Sequence, residues 1–153
     1  MTTITHAVSG SLVAVLIAKV DPSQHFLLAI PFFSAMILDL DHLYFFLKDK
    51  STAIPGNMHK ARSIFHELIG FLTSGFIALF LSFIDVKLTI LVGIPMMVHL
   101  MEDFIVGISI PFNPIDKTEI KLLPQKRKLK IIIDVVVLLI SGYLWKMFLN
   151  GQF

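Results

Sequence analysis

The 153-residue sequence contains no cysteine. This absence excludes disulfide bonds, thiolate catalysis and zinc sites built from cysteine. The chain is also poor in charge, because charged residues make up 16% of it, against about 25% in a typical soluble domain. Its net charge of +2 is too small to indicate nucleic-acid binding, so we expect no such partner. The first residues have no basic region and no small-residue cleavage site, so we expect no cleaved signal peptide.

What the chain does contain is apolar. Hydrophobic residues make up 56% of it, with 14 Phe and 7 Met, and its mean hydropathy is +0.82. The long apolar runs lack the period-two alternation of strands. We therefore predict an all-α, polytopic membrane bundle of about five helices that forms a single domain over residues 1–153. The predicted helices cover about residues 7–20, 24–46, 63–84, 88–108 and 130–149, with a kink at Pro31.

Positive residues indicate how this bundle is oriented. They gather in two connections, after the second and the fourth predicted helix: Lys48, Lys50, Lys60, Arg62, and Lys117, Lys121, Lys126, Arg127, Lys128, Lys130. With five spans both connections lie on one side, and positive residues favour the cytoplasm. We expect a multi-pass membrane protein whose N-terminus and basic loops are cytoplasmic. The first predicted helix is short for a span of about 20 residues, so its crossing of the bilayer stays open.

The ionisable side chains of the apolar segments collect on the same predicted side. They are His6, Asp39, Asp41, His42, His59, Arg62, His66, His99, Glu102 and Asp103, whereas His25 falls on the other side. His99 and Asp103 are four residues apart and share a helical face. Asp39 and His42 are three apart and are also neighbours, whereas Asp41 points elsewhere unless the helix has ended.

These groups need partners. One Asp at the centre of a membrane helix costs roughly 2.5–3.5 kcal/mol on insertion scales. A divalent cation would compensate several carboxylates, and neutral imidazoles would complete its coordination. We predict a metal site formed by His6, Asp39, Asp41, His42, His66, His99 and Asp103. Mixed nitrogen and oxygen ligands favour zinc, with manganese or iron as alternatives, over calcium.

For single residues, interpretations other than metal binding remain open. Asp103 alone could serve a proton relay or an ion pathway. His25 and His59 could be polar tips in the headgroup region. Glu67 and Glu102 are interpreted as solvated or hydrogen-bonded faces.

Four short motifs occur in order along the chain: Thr5-His6, Asp39-Leu40-Asp41-His42, Arg62 with His66, and His99 with Asp103. In this set the chain resembles the YdjM-like inner-membrane proteins, a family described as LexA-binding and as metal-dependent hydrolases. The resemblance covers about residues 4–114. It departs from the family pattern at Ala61, where the family has His before Arg62, and at Val106-Gly107, where it has Thr-Pro. Either His59 supplies the missing imidazole or the site holds fewer ions.

The family is distantly similar to zinc-dependent phospholipase C and fungal single-strand nucleases, which are helical phosphoesterases. The resemblance implies metal-dependent hydrolysis of a phosphoester, with more than one ion and a metal-activated water at a cytoplasm-facing site of the inner membrane. Arg62 would be the catalytic residue that pairs with the phosphate. A lipid phosphate or related substrate and a protein partner are implied as well. The alternatives are a metal-ion or proton transporter and a membrane interaction protein with a structural metal.

Overall fold

The fold is a bundle of antiparallel helices. The computed structural model describes residues 1–40, 47, 66–113, 115–116 and 118–153. Within them it contains α1 (Thr3–Ile17), α2 (His25–Met36), α3 (Leu68–Ser82), α4 (Val86–Val106) and α5 (Arg127–Leu149), with a 3-10 turn (Ile37–Asp39) directly after α2. No strand forms in these ranges, where an isolated bridge joins Ser109 and Ile120. The prediction of an all-helical fold with five helices is confirmed.

Helix α1 begins earlier than the sequence pattern predicts. Thr2 caps it, because its side chain accepts a hydrogen bond from the backbone N–H of Thr5. The prediction that His6 precedes the first helix is therefore wrong, and His6 lies within α1, whose last residue is Ile17. Asp85 caps α4 in the same way, accepting from the N–H of Leu88 at 2.6 Å. The final residues of the second predicted helix and the first of the third lie outside the described ranges.

Two helices are long and apolar enough to cross a bilayer. They are α4 with 21 residues and α5 with 23. At about 1.5 Å per residue they measure about 32 and 35 Å, against a hydrocarbon core of about 30 Å. The helices α1, α2 and α3 are shorter, and Pro31 lies inside α2.

Helix α4 is at the centre of the bundle. It packs against α1, α2 and α3, while α5 packs against α1. Two glycines permit this close packing. A Cβ on Gly10 would lie 3.2 Å from Pro95 Cα, and one on Gly93 would lie 2.9 Å from Ala78 Cβ. Small residues let membrane helices approach closely, so α1 and α3 are held tightly to α4.

One end of the bundle has an apolar core, which we call the apolar end. It consists of Leu12, Ala14, Val15, Val20, Leu91, Trp145 and Phe148. The indole N–H of Trp145 donates to the carbonyl of Val8 at 2.9 Å, which joins α5 to α1. This packing fixes the helices whose other ends carry the ionisable residues.

Candidate metal site

Six ionisable side chains converge at the other end of the bundle, and we call them the polar cluster. They are His6 of α1, Asp39 of the 3-10 turn, His66 just before α3, and His99, Glu102 and Asp103 of α4. The three imidazoles are at most 2% exposed. Residues far apart in sequence meet here because α1, α3 and α5 begin at this end, whereas α2 and α4 finish there.

The contacts of His99 determine where its ring carries a proton. Its Nδ1 lies 2.7 Å from the carbonyl oxygen of Ala35. A carbonyl can only accept, so Nδ1 is the donor, and in a neutral ring Nε2 then presents a lone pair. That Nε2 is fully buried, makes no hydrogen bond of acceptable geometry with the described residues, and lies 3.5 Å from Asp39 Oδ1. Two acceptors facing each other in a buried site are unfavourable unless a proton or a metal ion lies between them.

His6 is held in the same manner. Its Nδ1 donates to Glu102 Oε2 at 2.7 Å, and its Nε2 lies 3.3 Å from Asp103 Oδ1. A histidine whose outer nitrogen donates to a carboxylate or a carbonyl is typical of metal centres, where that bond orients the ring. The ring stacks on that of His99 with 4.0 Å between centroids. The main-chain nitrogen of Met1 also lies 3.6 Å from Asp103 Oδ1.

His66 completes the convergence. Its Nε2 lies 3.5 Å from Asp39 Oδ1 and 3.9 Å from Asp103 Oδ2. Each carboxylate therefore lies between two imidazoles: Asp39 between His66 and His99, and Asp103 between His6 and His66.

Two overlapping groups have metal-ligand spacing. In one, His6, His99 and Asp103 each offer a ligand atom, and in the other Asp39, His66 and His99 do so. Within each group these atoms all lie within 4.8 Å of one another. His99 belongs to both groups but has one available lone pair. The arrangement therefore suits either one ion or two adjacent ions of which one binds His99.

The structure brings together five of the seven predicted metal ligands: His6, Asp39, His66, His99 and Asp103. Asp41, His42 and Arg62 lie outside the described residues, as does His59. Metal binding by the five residues stays a prediction. His25, at the start of α2, is exposed and lies at the other end of the bundle.

Two parts of the site carry little signal in the sequence. Glu102, which the sequence places on a solvated or hydrogen-bonded helix face, is the hydrogen-bond partner of His6. The two residues are 96 positions apart in the sequence. The Ala35 carbonyl belongs to the backbone, which no side-chain motif can indicate. Glu67 is likewise on a hydrogen-bonded face, since it is 5% exposed and accepts from the N–H of Ile110 at 2.9 Å.

Comparison with known proteins identifies the family of this chain. The family described as YdjM inner membrane protein matches residues 1–151, and the chain belongs to that family. No curated protein and no solved structure matches the chain significantly. Membership and the two candidate spans support an inner-membrane protein. The more distant similarity to phospholipase C stays a prediction.

Proposed function

We propose that the chain is a multi-pass, metal-dependent hydrolase of the inner membrane that cleaves a phosphoester at the polar cluster. One observation carries the metal site. The Nε2 of His99 is buried, its proton is placed on the other nitrogen by Ala35, and it faces a carboxylate oxygen of Asp39. A divalent cation bound between these two atoms would resolve that arrangement.

The donor set favours zinc, with manganese or iron as alternatives. Imidazole nitrogens and carboxylate oxygens suit these ions, and a catalytic zinc needs about three protein ligands with one position open for water. Five donors in two overlapping groups suffice for one such ion, and a second ion beside it would need a carboxylate that binds both. A bound divalent ion would supply an acidified water and would polarise a substrate oxygen.

The protein's own residues have definable tasks. Glu102 and the Ala35 carbonyl orient the rings of His6 and His99 through Nδ1. Asp39 and Asp103 supply negative charge that retains the ion. Arg62, outside the described residues, would bind the phosphate, since guanidinium groups pair well with phosphate oxygens.

Basic residues near the polar cluster favour a cytoplasmic, anion-binding face. The start of α5 lies at this end of the bundle. A hydrogen bond shows this, in which the backbone N–H of Thr2 donates to Asp134 Oδ1 of α5 at 2.8 Å. Lys126, Arg127, Lys128 and Lys130 flank or form that start. By the positive-inside rule this end would face the cytoplasm.

The packing disfavours the transport alternative. Along α1, the hydroxyls of Ser9 and Ser11 donate to carbonyls of their own helix, those of Thr5 and Ala7. Beyond them, the described residues form the apolar end. An ion leaving the cluster in that direction would meet no chain of polar groups among these residues.

A turnover assay tests this proposal. Purified protein in proteoliposomes would be given a panel of phosphoesters, after chelation and after restoring zinc, manganese or iron. We expect metal-dependent cleavage that Asp103→Asn abolishes. Asp21→Asn, a matched change in the exposed connection between α1 and α2, should retain it.

Metal-bound wild type that cleaves none of the panel would contradict the hydrolase and favour a structural metal. Equal activity of Asp103→Asn and Asp21→Asn would show that the polar cluster takes no part in the reaction.

A further inference from the structure

A groove opens beside the polar cluster where α2 ends. Its volume is about 480 Å³, and its lining residues are Thr3, Phe33, Met36, Ile37, Asp39 and Leu40. This volume is within the range of about 300–1,000 Å³ found for small-ligand sites. Nothing in the metal chemistry requires such a groove.

The groove is apolar along its length and polar at one end. Phe33, Met36, Ile37 and Leu40 form the apolar wall, and between 41% and 71% of each of these residues is exposed. In a protein of the inner membrane, such outward-facing side chains meet lipid chains rather than water. At the other end lie Thr3 and Asp39, the two polar residues of the lining.

Asp39 joins the groove to the metal site. It lines the groove, and its carboxylate belongs to the ligand group with His66 and His99. Without a cation this carboxylate would repel an anionic headgroup, whereas a bound ion would attract one. With the proposed ion bound, the groove would be complementary to a molecule with a hydrocarbon chain and an anionic head.

We propose that this groove binds the hydrocarbon chain of an amphiphilic substrate and so places its anionic headgroup at the metal centre. The inference rests on the proposed function, because the metal holds the head. It assigns Phe33, Met36, Ile37 and Leu40 as the residues that select a lipid over a soluble phosphoester.

A binding series separates the chain from the head. Methyl-, butyl-, hexyl- and octylphosphonate share one metal-binding head that has no ester bond to cleave. Their affinities would be measured by titration calorimetry on zinc-loaded protein in nanodiscs. A methylene moved from water into an apolar groove improves affinity up to about fourfold. We expect affinity to rise steadily from methyl- to octylphosphonate.

Two matched variants distinguish the groove from the bilayer. Phe33→Ser changes the groove wall, and Phe80→Ser changes a similarly exposed phenylalanine of α3 outside the groove. We expect Phe33→Ser to weaken octylphosphonate binding about tenfold without altering methylphosphonate, and Phe80→Ser to match wild type. The proposal that the groove binds the chain would be overturned if the two variants had equal effects. It would also be overturned if wild type bound all four phosphonates with equal affinity.

Failure of the metal site gives a different pattern. If His99→Asn protein without bound metal keeps a preference for longer chains that Phe33→Ser reduces, the groove is preserved and the metal is not what holds the head. Metal-dependent methylphosphonate binding without any preference for longer chains would preserve the metal centre and contradict the groove.

Discussion

The polar cluster and the apolar end are built on the same helices but are stabilised differently. Helix α1 supplies His6 to one and Leu12 to the other, and α4 supplies His99 and Leu91. At the apolar end the side chains are held by packing, with one hydrogen bond from the indole of Trp145 to the Val8 carbonyl. At the polar cluster, imidazoles and carboxylates face each other, and the proposed ion would join them. The apolar end therefore holds the helices together, while the polar cluster carries the groups of the proposed chemistry.

Removing one imidazole at the polar cluster should have the largest effect. In His99→Asn the amide nitrogen can still donate to the Ala35 carbonyl, but the metal-binding lone pair at Nε2 is lost. We expect zinc affinity to fall more than about 100-fold, beyond the loss typical of altering an orienting partner. Competition with a chromogenic chelator would measure it. His25→Asn, at the exposed start of α2, should bind zinc as wild type does. Equal losses of zinc affinity in His99→Asn and His25→Asn would show that the polar cluster is not the zinc site.

A cavity at the apolar end should lower stability without affecting metal binding. Leu91 is 1% exposed, and Leu91→Ala should lower the free energy of unfolding by about 2–5 kcal/mol. The exposed Leu139 of α5 provides the matched control, and its change to alanine should cost less than about 0.5 kcal/mol. Unfolding in one detergent and zinc titration would be measured together. A fall in zinc affinity of folded Leu91→Ala protein would show that the two ends are not independent.

Weakening the carboxylate behind His6 should have an intermediate effect. Glu102→Gln keeps an acceptor for Nδ1–H but removes its charge, so the ring becomes a poorer ligand. We expect zinc affinity to fall about tenfold. The same change at the exposed Glu119 should leave it unchanged. Chelator competition would detect the difference, and an unaltered affinity in Glu102→Gln would exclude Glu102 as an orienting partner.

The smallest effect concerns the hydrogen bond between α5 and α1. Trp145→Phe removes the N–H that donates to Val8, which should lower stability by about 1 kcal/mol. Tyr143→Phe, on an exposed side chain of α5, should leave the melting temperature unchanged. Zinc affinity should be unchanged in both variants. If Trp145→Phe melts as wild type does, this bond contributes nothing to the docking of α5.

The sequence predicts the fold well because its apolar runs are long and continuous. Hydropathy locates the five helices of the described residues, but it places the start of α1 too late because Thr2 acts as its cap. The pairing of His99 with Asp103 on one face follows from helical spacing alone. Asp41 lies outside the described residues, so its predicted turn toward the cluster stays a prediction.

The details of the candidate site depend on tertiary packing. His6 meets Glu102 and Asp103 because α1 packs closely on α4 at Gly10. The Ala35 carbonyl, which decides the tautomer of His99, depends on where α2 ends and on how α4 passes it. No side-chain pattern encodes either contact. Sequence motifs therefore identify the chemical groups, while the three-dimensional contacts indicate how the groups would act together.

The most direct test of the metal centre is X-ray absorption at the zinc edge on purified wild-type protein. If the polar cluster holds the ion, the nearest neighbours should be nitrogen and oxygen at about 2.0–2.1 Å, with the outer scattering of imidazole rings. A protein that retains no zinc, manganese or iron, or a zinc spectrum without imidazole scattering, would contradict the account.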